Sequence, residues 1–406
     1  MNIGLLSEAL PYLPSVGGFR LYGANLIRCL GARHQIDLVT LLPGDDDEHL
    51  DWARQHCRSV QTIPLGPRPL LPRVANLAST YGRGRALHPR REVASALAHG
   101  LRKGAWDVLH VEGTYAAALM GDSLPIPKIL SAHDSRSLRA VEMRRCATTW
   151  KEKSYYRLRG LVDPRFERLV YPRFDRCVFV APRDVEAARE AGPGVRTALI
   201  PNGVDAEHFH PMDVPKEPAS LVFHGHLGYL PNVDAVITFA DTTFPLIQRR
   251  VPAAVFHVIG AEPHPRVRAL QTRPGIRLSA NLPDLRAAVC SASVYVCLLR
   301  HGTGIKNKLL EAMAMGLPVV AHPSALEGID GTDGTHMLAA AEPVPFAEHV
   351  VRLIQEGDLS TRLAAAGRRL VEERYGWASR AREFEQLYED AIRERNGKPV
   401  GSAARP

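Results

Sequence analysis

Cysteine is sparse: Cys29, Cys57, Cys146, Cys177, Cys290 and Cys297 are scattered over 406 residues, and no C-x-x-C pair occurs. Neither a zinc site nor a disulfide framework is indicated, and a reduced, cytosolic (cytoplasmic) setting is expected. No apolar run is long enough to cross a bilayer. The amino-terminal segment lacks a basic region, carries Glu8 early and is broken by Pro11 and Pro14. It reads as a first strand and turn rather than a signal peptide. No G-x-G-x-x-G dinucleotide fingerprint is present, and no helix-turn-helix, zinc-finger or RNP signature accompanies the basic residues, so no nucleic-acid partner is expected. Acidic clusters are almost absent. Asp45-Asp46-Asp47 is the one run, read as a solvated loop after a strand, and no metal is expected.

What is present is ordinary for a soluble globular protein: 45% apolar and 23% charged residues. The length predicts two domains. The net charge of +8 is uneven. Arg68, Arg73, Arg83, Arg85, Arg90, Arg91, Arg102 and Lys103 stand against the single Glu92, and a second arginine-rich stretch from Arg136 to Arg176 is interleaved with Trp150, Tyr155 and Tyr156. Two solvated helical faces account for this. The sharper reading is contact with an anionic surface, either membrane lipid at the inner face or a phosphorylated acceptor.

Short apolar runs alternate with longer amphipathic ones throughout, the pattern of α/β folds. Strands are predicted at Asn2 to Leu6, Gln35 to Leu42, Val108 to Val111, Lys128 to Ala132 and Cys177 to Ala181, with a helix from Tyr22 to Leu30. Pro211, Pro215 and Pro218 mark a linker. The pattern restarts with strands at Leu221 to His224, Val255 to Ile259, Ile276 to Leu278, Val294 to Leu298 and Pro318 to Ala321. Helices are predicted near Asp234 to Arg250, Asp284 to Ala292 and Lys306 to Met315. Phe346 to Glu356, Ser360 to Glu373 and Ala378 to Arg393 are amphipathic, and the tail after Asn396 is expected to be disordered.

The most informative segment runs from Gly302 to Val320. A glycine-bearing loop, Gly302-Thr303-Gly304, opens a short helix that stops at Gly316, a residue suited to a C-terminal cap, and Pro318 bars its continuation. Such a loop presents free N–H groups and the positive end of a helix dipole, a site for an anion and for phosphate above all. Lys308 and Glu311 are three residues apart and share a helix face. One can reach a phosphate while the other accepts hydrogen bonds from sugar hydroxyls. A plain α/β-unit helix with a solvated polar face is the competing reading of the segment taken alone.

This segment resembles the nucleotide-sugar signature of the GT-B glycosyltransferases, specifically glycosyltransferase family 4 (glycosyl transferases group 1). The L-L-E-A-M-A-x-G-x-P-V-V run places Glu311 at the second glutamate of the family's E-x7-E motif, which holds the donor ribose. The first glutamate is replaced by Thr303, where the family makes a contact to the donor hexose. The resemblance implies two Rossmann-like domains with a cleft between them. Residues 1–205 would form an acceptor-side domain and 206–376 a nucleotide-sugar domain. A helix over 377–395 would return to the first domain, and 396–406 would form the tail.

Other segments fit the same resemblance. Pro201-Asn202-Gly203-Val204-Asp205, with Phe209 and Pro211, resembles the family's interdomain stretch and is read as a hinge. Gly17 and Gly18 lie in the loop after the first strand, near the donor phosphates and the acceptor. His133 ends a strand, where ligands of open α/β sheets bind, and would orient the donor sugar or acceptor hydroxyl. His110 and Glu112 are secondary candidates at another strand end. Near positions 226 and 232 most relatives carry an arginine and a lysine that grip the diphosphate, where this chain has His226 and Asn232. Lys308 or Lys306 would then carry more of the phosphate charge, and Thr303, Gly304 and Leu310 are the other donor-binding positions. His224 and His226 show no third ligand at zinc spacing.

The implied activity is that of a retaining, metal-independent hexosyltransferase, with His133, Lys308 and Glu311 as catalytic residues. It would move a sugar from a nucleotide-diphosphate sugar to a hydroxyl acceptor: a glycan, a lipid-linked acceptor or a natural product. No cofactor is expected, the nucleotide sugar being a co-substrate. A non-hydrolysing nucleotide-sugar epimerase and a catalytically silent nucleotide-sugar-binding relative are the alternatives.

Overall fold

The computed structural model describes residues 1–13, 18–43, 49–65, 70–102, 105–121 and 124–397. Gly17, Asp45 to Asp47, Arg68, Lys103 and the tail from residue 398 lie outside the described residues. The chain forms two compact units. One comprises Met1–Ala140, Arg157–Pro201 and Trp377–Pro406; the other comprises Val141–Tyr156 and Asn202–Gly376.

The first unit is a seven-stranded parallel sheet. Its strands are β1 (Asn2–Ser7), β2 (Gln35–Pro43), β3 (Ser59–Leu65), β4 (Val108–Glu112), β5 (Lys128–His133), β6 (Arg176–Phe179) and β7 (Thr197–Leu199), in the order β3-β2-β1-β4-β5-β6-β7. The order reverses between β1 and β4, which creates a switch point at their carboxyl ends. Side chains alternate along β1: Ile3 and Leu5 enter one apolar cluster and Leu6 the other. Both faces are therefore covered, and β4 is buried at all five positions, Val108 to Glu112, the mark of an interior parallel strand. The last helix, Trp377–Arg395, lays Trp377, Ala381, Phe384 and Tyr388 into the cluster that contains Tyr22 and Leu26.

The second unit is a six-stranded sheet in the order β10-β9-β8-β11-β12-β13. Its strands are β8 (Ser220–His224), β9 (Val255–Gly260), β10 (Ile276–Ala280), β11 (Val294–Cys297), β12 (Val319–Ala321) and β13 (Leu338–Ala339). The switch point here lies between β8 and β11. The helix that sequence periodicity runs from Asp234 to Arg250 instead starts at Leu230, and Phe239–Thr243 form a π-helical turn between Leu230–Thr238 and Phe244–Arg250. Pro231 sits in its first turn, where a missing N–H costs nothing. The helix expected at Asp284 to Ala292 is shorter, Arg286–Cys290. Strands β3, β7 and β13 fall outside the predicted set. β3, at the sheet edge, has Ile63 as its one fully buried residue, β7 has three residues, none of them fully buried, and β13 has only two, so none carries a strong apolar run.

Candidate functional site

The loop after β11 leads into the eight-residue helix Asn307–Ala314. Leu309, Leu310, Ala312 and Met313 are fully buried, which fixes the helix on the sheet and turns Lys308 and Glu311 to the half-buried side. The helix ends as the sequence predicts. Gly316 has φ +73°, and its N–H donates to the Met313 carbonyl at 2.9 Å. Because the helix follows a strand's carboxyl end, its first turn lies at the edge where α/β sheets bind ligands.

Lys308 is placed by its neighbours. Its Nζ donates to Asn232 Oδ1 and lies 5.1 Å from the centre of the Phe223 ring. Burial pushes its amine down to about 8, an effect reinforced by Lys306 and opposed by Cys297 and Glu311. Gly225 (φ +153°) makes room: a Cβ there would stand 3.1 Å from Lys308 Cε and 3.2 Å from its Nζ. Asn232 in turn donates to the His226 carbonyl at 2.8 Å. The amide thus links the β8 loop to Lys308. His226 is half-exposed and pairs with Glu262 at 3.3 Å.

Glu311 is held by His224, at the end of β8, whose Nε2 lies 2.7 Å from Glu311 Oε2. Lys306 is buried and its Nζ donates to the carbonyls of Thr303 at 2.9 Å and Gly304 at 2.6 Å, clamping the loop. Thr303 Oγ1 is buried and has no hydrogen-bond partner among the described residues. Since Leu310 is packed in the core, what it offers a ligand is backbone. Asn202 donates to Asn307 Oδ1 at 2.8 Å, tying the Pro201-Asn202-Gly203 stretch to the start of this helix.

One residue that sequence reasoning missed is Glu142, buried in the second unit. Its carboxylate accepts from Gly302 N–H at 3.3 Å and from Arg145 Nη1 at 2.8 Å, and lies 3.4 Å from His301 Nδ1. It pins the glycine loop. In R-S-L-R-A-V-E-M-R-R-C it reads as one more polar position on a charged helix. His224 did carry a signal: a histidine closing the apolar strand S-L-V-F-H.

In the first unit, the carboxyl ends of β4 and β5 bring together His110, Glu112 and His133. Glu112 is buried between the two rings, with Oε1 2.6 Å from His133 Nε2 and Oε2 3.2 Å from His110 Nε2. Burial alone would raise the Glu112 carboxyl, yet the histidines outweigh it and hold it below its ordinary value. Burial likewise opposes the charged form of His133, but Glu112 outweighs it and the imidazole is raised. His133 adopts φ +63°, a conformation uncommon outside glycine. Tyr22 packs edge-on against its ring at 4.5 Å. Gly18 opens the helix Gly18–Gly31 and is exposed.

All six cysteines are free. Among the described residues no group of three or more His, Cys, Asp or Glu could hold a metal ion, and no helix is long and apolar enough to cross a membrane.

Residues 218–356 match the model of a family described as glycosyl transferases group 1, and residues 16–208 match that of glycosyltransferase family 4. An uncharacterized glycosyltransferase of Methanocaldococcus jannaschii is 26% identical over 111 residues, a match covering 26% of this chain and 28% of that relative's length. Among solved structures, sucrose-phosphate synthase from Thermosynechococcus elongatus aligns with a TM-score of 0.69 at 17% identity, over 96% of this chain and 98% of that one. HepE of Anabaena, solved in complex with UDP and glucose, aligns at 0.65 and 13% identity, over 96% and 99%. At these identities the likeness is one of fold.

Proposed function

The chain belongs to the glycosyltransferases of group 1 and family 4 and has their GT-B fold of two Rossmann-like domains, and on that premise we propose that it moves a sugar from a nucleotide-diphosphate sugar to a hydroxyl acceptor with retention at the anomeric carbon and without a metal. The observation that carries this reading is the pairing of Lys308 and Glu311 on one side of a helix whose amino end lies at the carboxyl edge of the second sheet.

The chemistry follows from what each group can do. The bond between the anomeric carbon and the β-phosphate oxygen breaks, and negative charge grows on the departing diphosphate. A fixed ammonium and helix N–H groups lower that barrier without reorganising. Lys308 supplies the ammonium and the Gly304 to Asn307 turn the N–H groups. Glu311 accepts from the ribose diol and fixes the donor. The acceptor oxygen forms the new bond on the face the phosphate leaves, and its proton passes to the departing phosphate oxygen. Thr303, His226 and Asn232 complete the donor side; Gly17, Gly18 and His133 serve the acceptor hydroxyl and donor sugar. The Pro201–Gly203 stretch acts as the hinge.

An anionic membrane is the further partner we assign to the first unit. On helix Leu70–Arg83, Leu71 is 81% exposed, and Val74 and Leu77 are exposed as well. Leu158 and Leu161 are exposed on helix Trp150–Val170. Arg165 Nη2 donates to the Gly82 carbonyl at 3.1 Å, which joins the two helices. Arg73, Arg83, Arg157 and Arg165 are exposed around these apolar groups, a combination suited to acidic headgroups.

Acceptor-dependent transfer, screened over nucleotide sugars that raise the unfolding temperature, tests the reading. NMR of the product should show the donor's anomeric configuration, and EDTA should leave the rate unchanged. An inverted product overturns retention. Loss of rate in EDTA that Mg²⁺ restores overturns metal independence.

A further inference from the structure

His224 is 2% exposed and closes a strand whose preceding residues, Leu221, Val222 and Phe223, are buried and apolar. Its ring is fixed on two sides. Nε2 lies 2.7 Å from Glu311 Oε2, and Tyr295 packs edge-on with ring centroids 5.4 Å apart. The other nitrogen, Nδ1, is buried with no hydrogen-bond partner among the described residues. A buried orphan of this kind is costly and calls for a reason. Packing alone does not supply one, because an apolar ring in the same volume would leave no orphan. What the imidazole supplies is a single donor aimed at one carboxylate oxygen.

We propose that His224 is a positioning residue: it locks the Glu311 side chain by binding Oε2 and thereby presents Oε1 to the ribose diol of the donor. Oε1 has no protein hydrogen bond among the described residues. The inference rests on the donor reading above. His224 itself touches no substrate and acts only through Glu311. Without it, a glutamate side chain with three rotatable bonds must be ordered by the ligand, and that ordering is subtracted from affinity.

The test is calorimetric titration of the full chain with UDP, GDP and ADP, each against its 2′-deoxy counterpart. The variants are Glu311→Ala, His224→Phe, His224→Gln and the His224→Phe/Glu311→Ala pair. For the ribonucleotide that binds, Glu311→Ala should weaken affinity about 10- to 100-fold, the range of hydrogen bonds to a charged group, and should erase the preference over the deoxy form. His224→Phe should reproduce most of that loss of preference without lowering the unfolding temperature. His224→Gln, which keeps a donor at the same reach, should restore it, and the pair should be no worse than Glu311→Ala alone. Wild-type preference in His224→Phe overturns the proposal and leaves the donor reading standing. So does an equal loss for ribo and deoxy forms with a lowered unfolding temperature. Failure of all three probes to bind, or wild-type affinity in Glu311→Ala, overturns the donor reading and the proposal with it.

Discussion

Lys308 donates from Nζ to the amide oxygen of Asn232, so a cation on one βα unit of the second sheet is anchored by a neutral partner on another. Asn232 is neutral, and Lys308 is left as the cation facing the proposed diphosphate. Burial has pushed its amine from 10.5 to about 8. Its charge is therefore complete well below pH 8 and lost above it. Nucleotide-diphosphate affinity should fall as pH rises through about 8, by up to about tenfold per pH unit, and the fall should be absent in Lys308→Gln. The unfolded chain holds this proton up to about 10.5, so folding stability gains between 8 and 10.5 as the buried charge is relieved. Titrations from pH 6.5 to 9.5 in both proteins check the sign.

Glu142 should govern the glycine loop without touching the donor. Glu142→Ala removes the acceptor for Gly302 N–H and the partner of His301 and Arg145. The donor KM should rise about tenfold and stability should drop by about 1–3 kcal/mol, the cost of an unmatched buried group. Steady-state kinetics with a denaturant titration separate the two effects.

The Glu112–His133 pair makes the first unit's stability depend on pH. Glu112 is depressed below its ordinary 4.5 and His133 raised above its ordinary 6.5. The contribution of the pair is complete between those two values. It is lost on acidification through the Glu112 value and on raising pH through the His133 value. Glu112→Ala, which strands a buried imidazole, should cost roughly 3 kcal/mol and flatten this profile in urea melts across pH 3 to 9.

The apolar-basic face of the first unit should bind anionic vesicles. Sedimentation with phosphatidylglycerol liposomes should exceed that with phosphatidylcholine and weaken as salt rises. Leu71→Ser with Leu158→Ser should reduce binding severalfold, while Arg73→Gln with Arg157→Gln should remove the salt dependence. Equal retention on both lipids contradicts the assignment.

The two parallel sheets were legible because interior strands such as Ser220–His224 and Val108–Glu112 are short apolar runs between helical periods. The helix Asn307–Ala314 was legible because Leu309, Leu310, Ala312 and Met313 mark one face and Gly316 its end. Pairwise geometry was not. The contact of His224 with Glu311 spans 87 residues and that of Gly302 with Glu142 spans 160, distances over which no local periodicity signals proximity. Lys306 shows the converse. The family resemblance implies a phosphate contact for it, but its amine is turned back onto the Thr303 and Gly304 carbonyls, because a buried ammonium must satisfy its donors. The edge strand Ser59–Leu65 escaped notice because its partly exposed residues carry no continuous apolar run.

Lys308 and Glu311 are the two residues proposed to bind and activate a nucleotide-sugar donor. The most direct measurement is transfer from the nucleotide sugar that stabilises the wild-type chain, compared in Lys308→Ala and Glu311→Ala, with circular dichroism to confirm the fold. A loss of about 10²- to 10³-fold is expected in each, the size seen when a fixed charge-stabilising group is removed, with folding intact. Wild-type rates in both variants would contradict it.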